Sequence, residues 1–185
     1  IFRRIQTAGL KINPEKCKFL GRTLNEKGIQ TNRKKVEEIE KEEVPKCSKQ
    51  LRSFLGLTNY YRRFIKDYAK IAEPLYAATS GCDKDISWTK ECNESFQTLK
   101  RRLCEAPILD FPREDRTFIL DTGASFGSIG AVLSQITEDG KESVIAYGSR
   151  HMSSHEKGYC VTKKELLVVH EYVMHFREYL YGKNS

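Results

Sequence analysis

The chain has 185 residues, 39% hydrophobic and 31% charged, which is material for one or two small domains. No apolar run approaches the roughly 20 residues that cross a bilayer, and the opening Ile1-Phe2-Arg3-Arg4-Ile5 lacks the pattern of a secretory signal; membrane and secreted classes are set aside and an intracellular setting is expected. The net charge of +7 is unevenly placed, with 23 Lys and Arg against 13 Asp and Glu in residues 1–104 and 9 against 12 in residues 105–185. A basic part joined to a mildly acidic one suits a nucleic-acid clamp feeding an acidic pocket, although a lysine-rich solvated surface gives the same totals.

The start at Ile1, without Met and in mid-pattern, reads as a piece of a longer polypeptide. Residues 1–10 look like the end of a helix, with Gly9 near its C-cap. Residues 18–29 read as a hairpin that turns at Asn25-Glu26-Lys27-Gly28. Residues 32–43 are charged and helical by propensity, with opposite charges near i,i+4 spacing, and Val44-Pro45 stops them. Ser48 is then placed to cap a second helix, whose core face is Leu51, Phe54, Leu55, Thr58, Tyr61 and Ile65. Arg52, Asn59, Arg62, Arg63 and Lys66 lie on its other faces, beside Tyr60, where guanidinium, amide and phenol groups could track the phosphates and sugars of a duplex; a core helix with a solvated basic face is the plainer reading. Ile71-Ala72-Glu73-Pro74-Leu75 is expected to end this helical region.

Trp88-Thr89 opens another helix, with Cys92, Phe96, Leu99 and Leu103 as its apolar stripe. Lys100-Arg101-Arg102 closes it, either for its favourable place beside the negative helix end or as a nucleic-acid contact. Ala106-Pro107 marks a boundary. Strands follow at 117–125, 128–136 and 142–149, with a turn at Thr137-Glu138-Asp139-Gly140. Residues 150–160 read as loop. A last helix runs from Thr162 to about residue 181, with Leu166, Val169, Val173, Phe176 and Leu180 expected inward. Six cysteines (17, 47, 82, 92, 104, 160) contain no Cys-x-x-Cys pair, and four histidines (151, 155, 170, 175) no His-Glu-x-x-His. Inert thiols in a reducing compartment are expected rather than a disulfide framework or zinc site.

The hairpin around Asp121-Thr122-Gly123 supports two enzymatic readings. Alone, the triplet matches the Asp-Thr-Gly loop of a retroviral-type aspartic protease, in which two such aspartates share a proton. Its surroundings match something else. Leu51-Arg52-Ser53-Phe54-Leu55-Gly56-Leu57-Thr58-Asn59-Tyr60-Tyr61-Arg62-Arg63-Phe64-Ile65 closely resembles the thumb of Gypsy-type retrotransposon reverse transcriptases. Lys16-Cys17-Lys18-Phe19-Leu20-Gly21 resembles the end of the palm. Thr122-x-Ala124-Ser125 with Ile129-Gly130-Ala131-Val132-Leu133-Ser134-Gln135 resembles the first hairpin of the attached ribonuclease H domain.

That resemblance implies an α+β chain in three parts: a palm end with a primer-grip-like hairpin (1–30), thumb and connection helices (31–106), and a truncated ribonuclease H-like domain with a three-stranded antiparallel sheet and one helix (107–185). It implies RNA–DNA hybrid or DNA duplex as partner, no membrane, and Phe19, Leu20, Gly21, Asn59, Tyr60, Arg62, Arg63 and Lys66 as nucleic-acid contacts. The oligomeric state stays open. The parent activities are RNA-directed DNA synthesis and cleavage of RNA in hybrids. The polymerase's Tyr-x-Asp-Asp segment is not in this sequence.

Ribonuclease H chemistry uses two Mg²⁺ ions about 4 Å apart, held by converging carboxylates. The family's first carboxylate falls on Gly123. Asp121 stands two residues earlier on the same strand face, about 6.6 Å away, a shift that an aspartate side chain is too short to recover; it is carried over only as an imperfect substitute. Glu165 matches the family's helix glutamate, but Thr162-x-x-Glu165 also reads as a capping box. The expectation is an impaired enzyme fragment that keeps nucleic-acid affinity and possesses few or no Mg²⁺ ligands. Two alternatives remain: a non-catalytic binding or interaction module reused by its host, and the aspartic protease using Asp121.

Overall fold

In the computed structural model, one short sheet precedes a run of helices and a longer sheet with its own helix follows them in the chain. The structure describes residues 18–19, 22–25, 28–79, 86–113 and 115–181, the first two stretches by their backbone alone.

Strands β1 (Lys18–Phe19), β2 (Arg22–Asn25) and β3 (Gly28–Thr31) form an antiparallel sheet in that order. The expected hairpin therefore has one strand more than its sequence suggested, because Lys18 and Phe19 fold back onto Thr23 and Arg22. Ile29 of β3 also exchanges backbone hydrogen bonds of 2.7 and 3.0 Å with Leu109. Gly28 makes this approach feasible: its φ is +136°, and a Cβ there would collide with the Leu109 carbonyl.

Helix α1 (Arg33–Lys41) starts at Asn32, whose side chain accepts from the Lys34 amide. Helices α2 (Ser48–Tyr60), α3 (Tyr68–Ala78) and α4 (Lys90–Cys104) follow, with a 3₁₀ turn, Arg62–Phe64, between α2 and α3. The predicted stripe is buried throughout: Leu51, Phe54, Leu55, Thr58, Tyr61 and Ile65. It packs on Cys92, Phe96, Leu99 and Leu103 of α4 in one core, with the Phe54 and Phe96 rings 4.5 Å apart.

Two local expectations fail here. Ser48 does not cap α2; Cys47 holds the cap position, and Ser48 is buried in the first turn with its hydroxyl unpartnered. Gln50 instead reaches back to accept from the Lys46 amide at 2.8 Å. Nor does Pro74 end the helical region. It lies inside α3, where Ala72 and Leu75 are both fully buried, and their packing outweighs the missing backbone bond.

Strands β4 (Phe118–Ala124), β5 (Ser128–Ile136) and β6 (Glu142–His151) form the second sheet in sequence order, close to the predicted spans. The expected loop at 150–160 is partly ordered: β6 runs on to His151, and a short helix α5 (Ser154–Lys157) begins with a Ser153–Glu156 capping box. Helix α6 (Val161–His175) and the one-turn α7 (Arg177–Leu180) complete the described chain.

The inward face of α6 differs from the expected one. Phe176 is buried as expected, but Leu166, Val169 and Val173 are 65%, 45% and 42% exposed, and Val168 and Tyr172 are buried in their place. Aromatic packing decides between the two stripes. A Cβ on Gly148 of β6 would collide with the Tyr172 ring, so this glycine opens the sheet face to Tyr172, whose hydroxyl donates to the Ile129 carbonyl at 3.0 Å.

The helices and the second sheet are joined by directed bonds. The Ala69 amide donates to Ser149 Oγ at 2.6 Å, Arg63 Nη2 to the Ile145 carbonyl at 3.3 Å, and the Asp110 amide to the Val144 carbonyl at 2.8 Å. No helix among the described residues is long and apolar enough to cross a membrane.

Candidate nucleic-acid interface and carboxylate cleft

Two clefts lie where the helices meet the second sheet. The first, of about 300 Å³, takes Lys66, Asp67 and Lys70 from the start of α3 and Asp121, Gly123 and Gly130 from the sheet. Alternate strand residues share a face, so Asp121 and Gly123 point the same way. Gly123 pairs with Gly130, and a Cβ on Gly130 would lie 3.5 Å from Asp67 Oδ1. This face therefore looks toward α3. The other face, with Leu120, Ala131 and Leu133, packs in the core that includes Val168 and Tyr172 of α6. Space around Gly123 is open, with no atom within 4 Å of where its Cβ would stand.

Glu165 is exposed on α6 and outside the lining of this cleft. Its expected capping box is also absent: α6 begins at Val161 behind Cys160, with no side-chain cap bond, so Thr162 and Glu165 are interior helix positions. The capping box lies one element earlier, at Ser153 and Glu156. There the Glu156 carboxyl is held down to about 2, first by its hydrogen bond from Arg150 and then by the Ser153 amide. Arg150 donates to both Glu156 oxygens at 2.9 Å and to Glu171 at 3.0 Å.

A two-ion centre needs at least two carboxylates meeting at metal–oxygen distances of about 2.1 Å. The carboxylates that line this cleft are Asp67 and Asp121, flanked by Lys66 and Lys70; position 123 carries no side chain, and Glu165 is not among the lining residues. Among the described residues no three His, Cys, Asp or Glu gather closely enough to hold an ion. Asp121-Thr122-Gly123 sits inside strand β4 and pairs with β5 along its length, where the protease reading requires a loop.

The second cleft, of about 260 Å³, brings together Asn59, Tyr60, Arg62 and Arg63, four of the predicted nucleic-acid contacts. Its opposite wall is Tyr147 of β6 with His175 and Glu178 near the end of the chain's helices. Arg62 is exposed. Arg63 is half-buried, one nitrogen donating to Ile145 and Nε left buried without a partner. Lys66 lies in the first cleft instead. Phe19 lies in β1, described by backbone alone, and Leu20 and Gly21 fall outside the described residues.

Sequence reasoning missed Tyr147 and His175 as walls of this cleft. Nothing in their spacing marks them; they meet Arg62 only because α6 crosses the sheet. Loss of solvent around the ring, followed by the positive charge of Arg62, pushes the His175 pKa down. Burial likewise raises the Tyr147 phenol above its ordinary value.

Residues 88–185 match the RNase H-like domain found in reverse transcriptase. The whole chain is 35% identical to part of the Retrovirus-related Pol polyprotein from transposon 412 of Drosophila melanogaster and 37% identical to part of that from transposon opus. It is also similar, at 32% identity over 97% of its length, to the Transposon Tf2-3 polyprotein of Schizosaccharomyces pombe. The chain spans only 15%, 20% and 14% of these three relatives. Its fold is that of foamy viral protease-reverse transcriptase: TM-scores are 0.78 for a complex with double-stranded DNA and 0.77 for one with RNA/DNA hybrid, both at 23% identity. Each alignment covers 90% of this chain and 29% or 22% of the viral one.

Proposed function

The chain belongs to the family of RNase H-like domains found in reverse transcriptase, and from that premise we propose that it grips a nucleic-acid duplex, RNA–DNA hybrid or DNA, within a retrotransposon Pol polyprotein. The observation that carries this is the second cleft. Four residues picked out for phosphate and sugar contact converge there, from α2 and the 3₁₀ turn, against the RNase H-like sheet. The foamy viral proteins of the same fold hold double-stranded DNA or RNA/DNA hybrid, which favours a duplex as ligand. The division into a palm end (1–30), thumb and connection (31–106) and RNase H-like part (107–185) belongs to this reading.

Hydrolysis is the impaired half of the proposal. Gly123 stands where the resemblance requires a carboxylate, and Glu165 is exposed on α6 rather than part of the cleft that Asp121 lines. No Mg²⁺-dependent step is derived from this donor set. The Asp-Thr-Gly protease reading is withdrawn, since family and strand setting both oppose it.

Binding of the full chain to labelled hybrid and duplex in rising salt tests the proposal. Affinity should fall log-linearly with salt, and Arg62→Ala and Lys66→Ala should each lower the slope by about one. Absence of salt-sensitive binding would overturn the duplex reading. Mg²⁺-dependent turnover of hybrid, abolished by Glu165→Gln, would overturn the impairment.

A further inference from the structure

The second cleft contains a residue for which neither motif nor spacing supplies a role. His175 closes α6 and faces Arg62 and Arg63 from across the cleft. Its ring is exposed on one side and packs edge-on against Tyr172 and Phe176, with centroids 5.9 and 4.8 Å away. We propose that His175 belongs to the seat of a backbone phosphate of the bound duplex, and that its imidazole takes up a proton from water as the phosphate docks. This inference rests on the duplex-binding reading and adds a residue and a proton linkage to it.

The charges around the ring decide the sign. Arg62 is exposed, and Arg63 keeps one buried donor unpartnered. Both disfavour a third positive charge, and the ring neighbours withdraw solvent from it. On the acidic side, Glu171 of α6 is engaged by Arg150 at 3.0 Å, and Glu178 of α7 lines the cleft. Tyr147 of β6 stays a neutral phenol, its pKa raised by burial, and Tyr60 and Tyr179 complete the wall.

A phosphodiester placed among these groups brings one negative charge. It offsets the two guanidinium groups and gives an imidazolium a hydrogen-bonding partner, so the bound pKa exceeds the free one. By linkage the complex then holds more protons than the free chain between the two values, and duplex affinity must rise as pH falls through that interval. A difference of one pKa unit corresponds to a tenfold change.

The test uses the full chain and a short DNA duplex at fixed salt. Affinity of the wild type should rise about three- to tenfold from about pH 8 to about pH 5.5, with net proton uptake seen by calorimetry in two buffers of different ionisation enthalpy. His175→Asn should flatten the profile and remove the uptake. Because that variant alters packing on Tyr172, the His175 ring of the wild type is also titrated by NMR with and without duplex. A bound pKa no higher than the free one, or an unchanged pH profile in His175→Asn, overturns the proton-linked seat while leaving duplex binding standing. Absence of binding at every pH and salt overturns the duplex reading itself.

Discussion

The two clefts are made by the same pair of layers, yet they differ in what each layer contributes. In the first, the sheet offers Asp121 beside two glycines, and the approach to α3 and its first turn offer Lys66, Asp67 and Lys70. Charges of both signs stand around an open space where a side chain is missing. In the second, an arginine-bearing turn is docked by a hydrogen bond to β6, and aromatic rings fill the gaps. On the proposed reading, the absence of a side chain at Gly123 impairs a function that needs several carboxylates at one point. Gripping a phosphate backbone spreads over many contacts and survives such a loss.

The sharpest way to break this contrast is through the face that the first cleft does not use. Gly148→Ala drives a methyl into the Tyr172 ring, which cannot retreat while its hydroxyl is bonded to Ile129. A loss of about 1–3 kcal/mol, the usual cost of overpacking, should appear as a lower urea midpoint. Salt-sensitive duplex binding should weaken with it, because α6 carries the His175 wall.

Arg150→Ala should cost about 1–2 kcal/mol by removing charge-assisted hydrogen bonds to Glu156 and Glu171. The pH dependence gives a separate signature. The folded Glu156 pKa of about 2 lies below its ordinary 4.5, so the carboxylate stabilises the fold above pH 4.5 and the contribution fades as pH falls toward 2. An acid-denaturation profile of Arg150→Ala should lack that portion of the slope. An unchanged profile would mean that Arg150 is not what ties α5 and α6 to β6.

Arg62→Ala should weaken duplex binding about three- to tenfold at low salt and leave the urea midpoint within about 0.5 kcal/mol, because the side chain is exposed. The smallest effect is expected at the first cleft. Gly123→Asp points a carboxylate into open space and should change stability by less than about 0.5 kcal/mol. A large loss there would show that the apparent vacancy is filled by something the cleft needs.

Much of the architecture was legible before any coordinates. The buried stripe of α2 from Leu51 to Thr58, the α4 stripe from Cys92 to Leu103 and the three strands of the second sheet were all readable, because burial imposes a period on each; Tyr61 and Ile65 are buried too, but beyond the end of α2 on either side of the 3₁₀ turn. Local chemistry was less reliable. Ser48, Pro74 and the Thr162–Glu165 pair each carry a familiar end signal, and each was overridden by packing around it or by a helix that starts earlier. The α6 helix offered two apolar stripes ending at Phe176, and only the space over Gly148 selected the one through Val168 and Tyr172.

The sequence by itself determined the family, through motifs that span most of the chain, and it determined that position 123 offers no ligand, because glycine has no side chain under any fold. Tertiary structure alone decided that Asp121 lines a cleft with Lys66, Asp67 and Lys70 while Glu165 is exposed outside it, and that Arg62 and His175 line one cleft. The physical reason is distance along the chain. Periodicity assigns a residue to a face of its own strand or helix, whereas the meeting of a turn near residue 62 with a helix end near residue 175 depends on how separate layers pack.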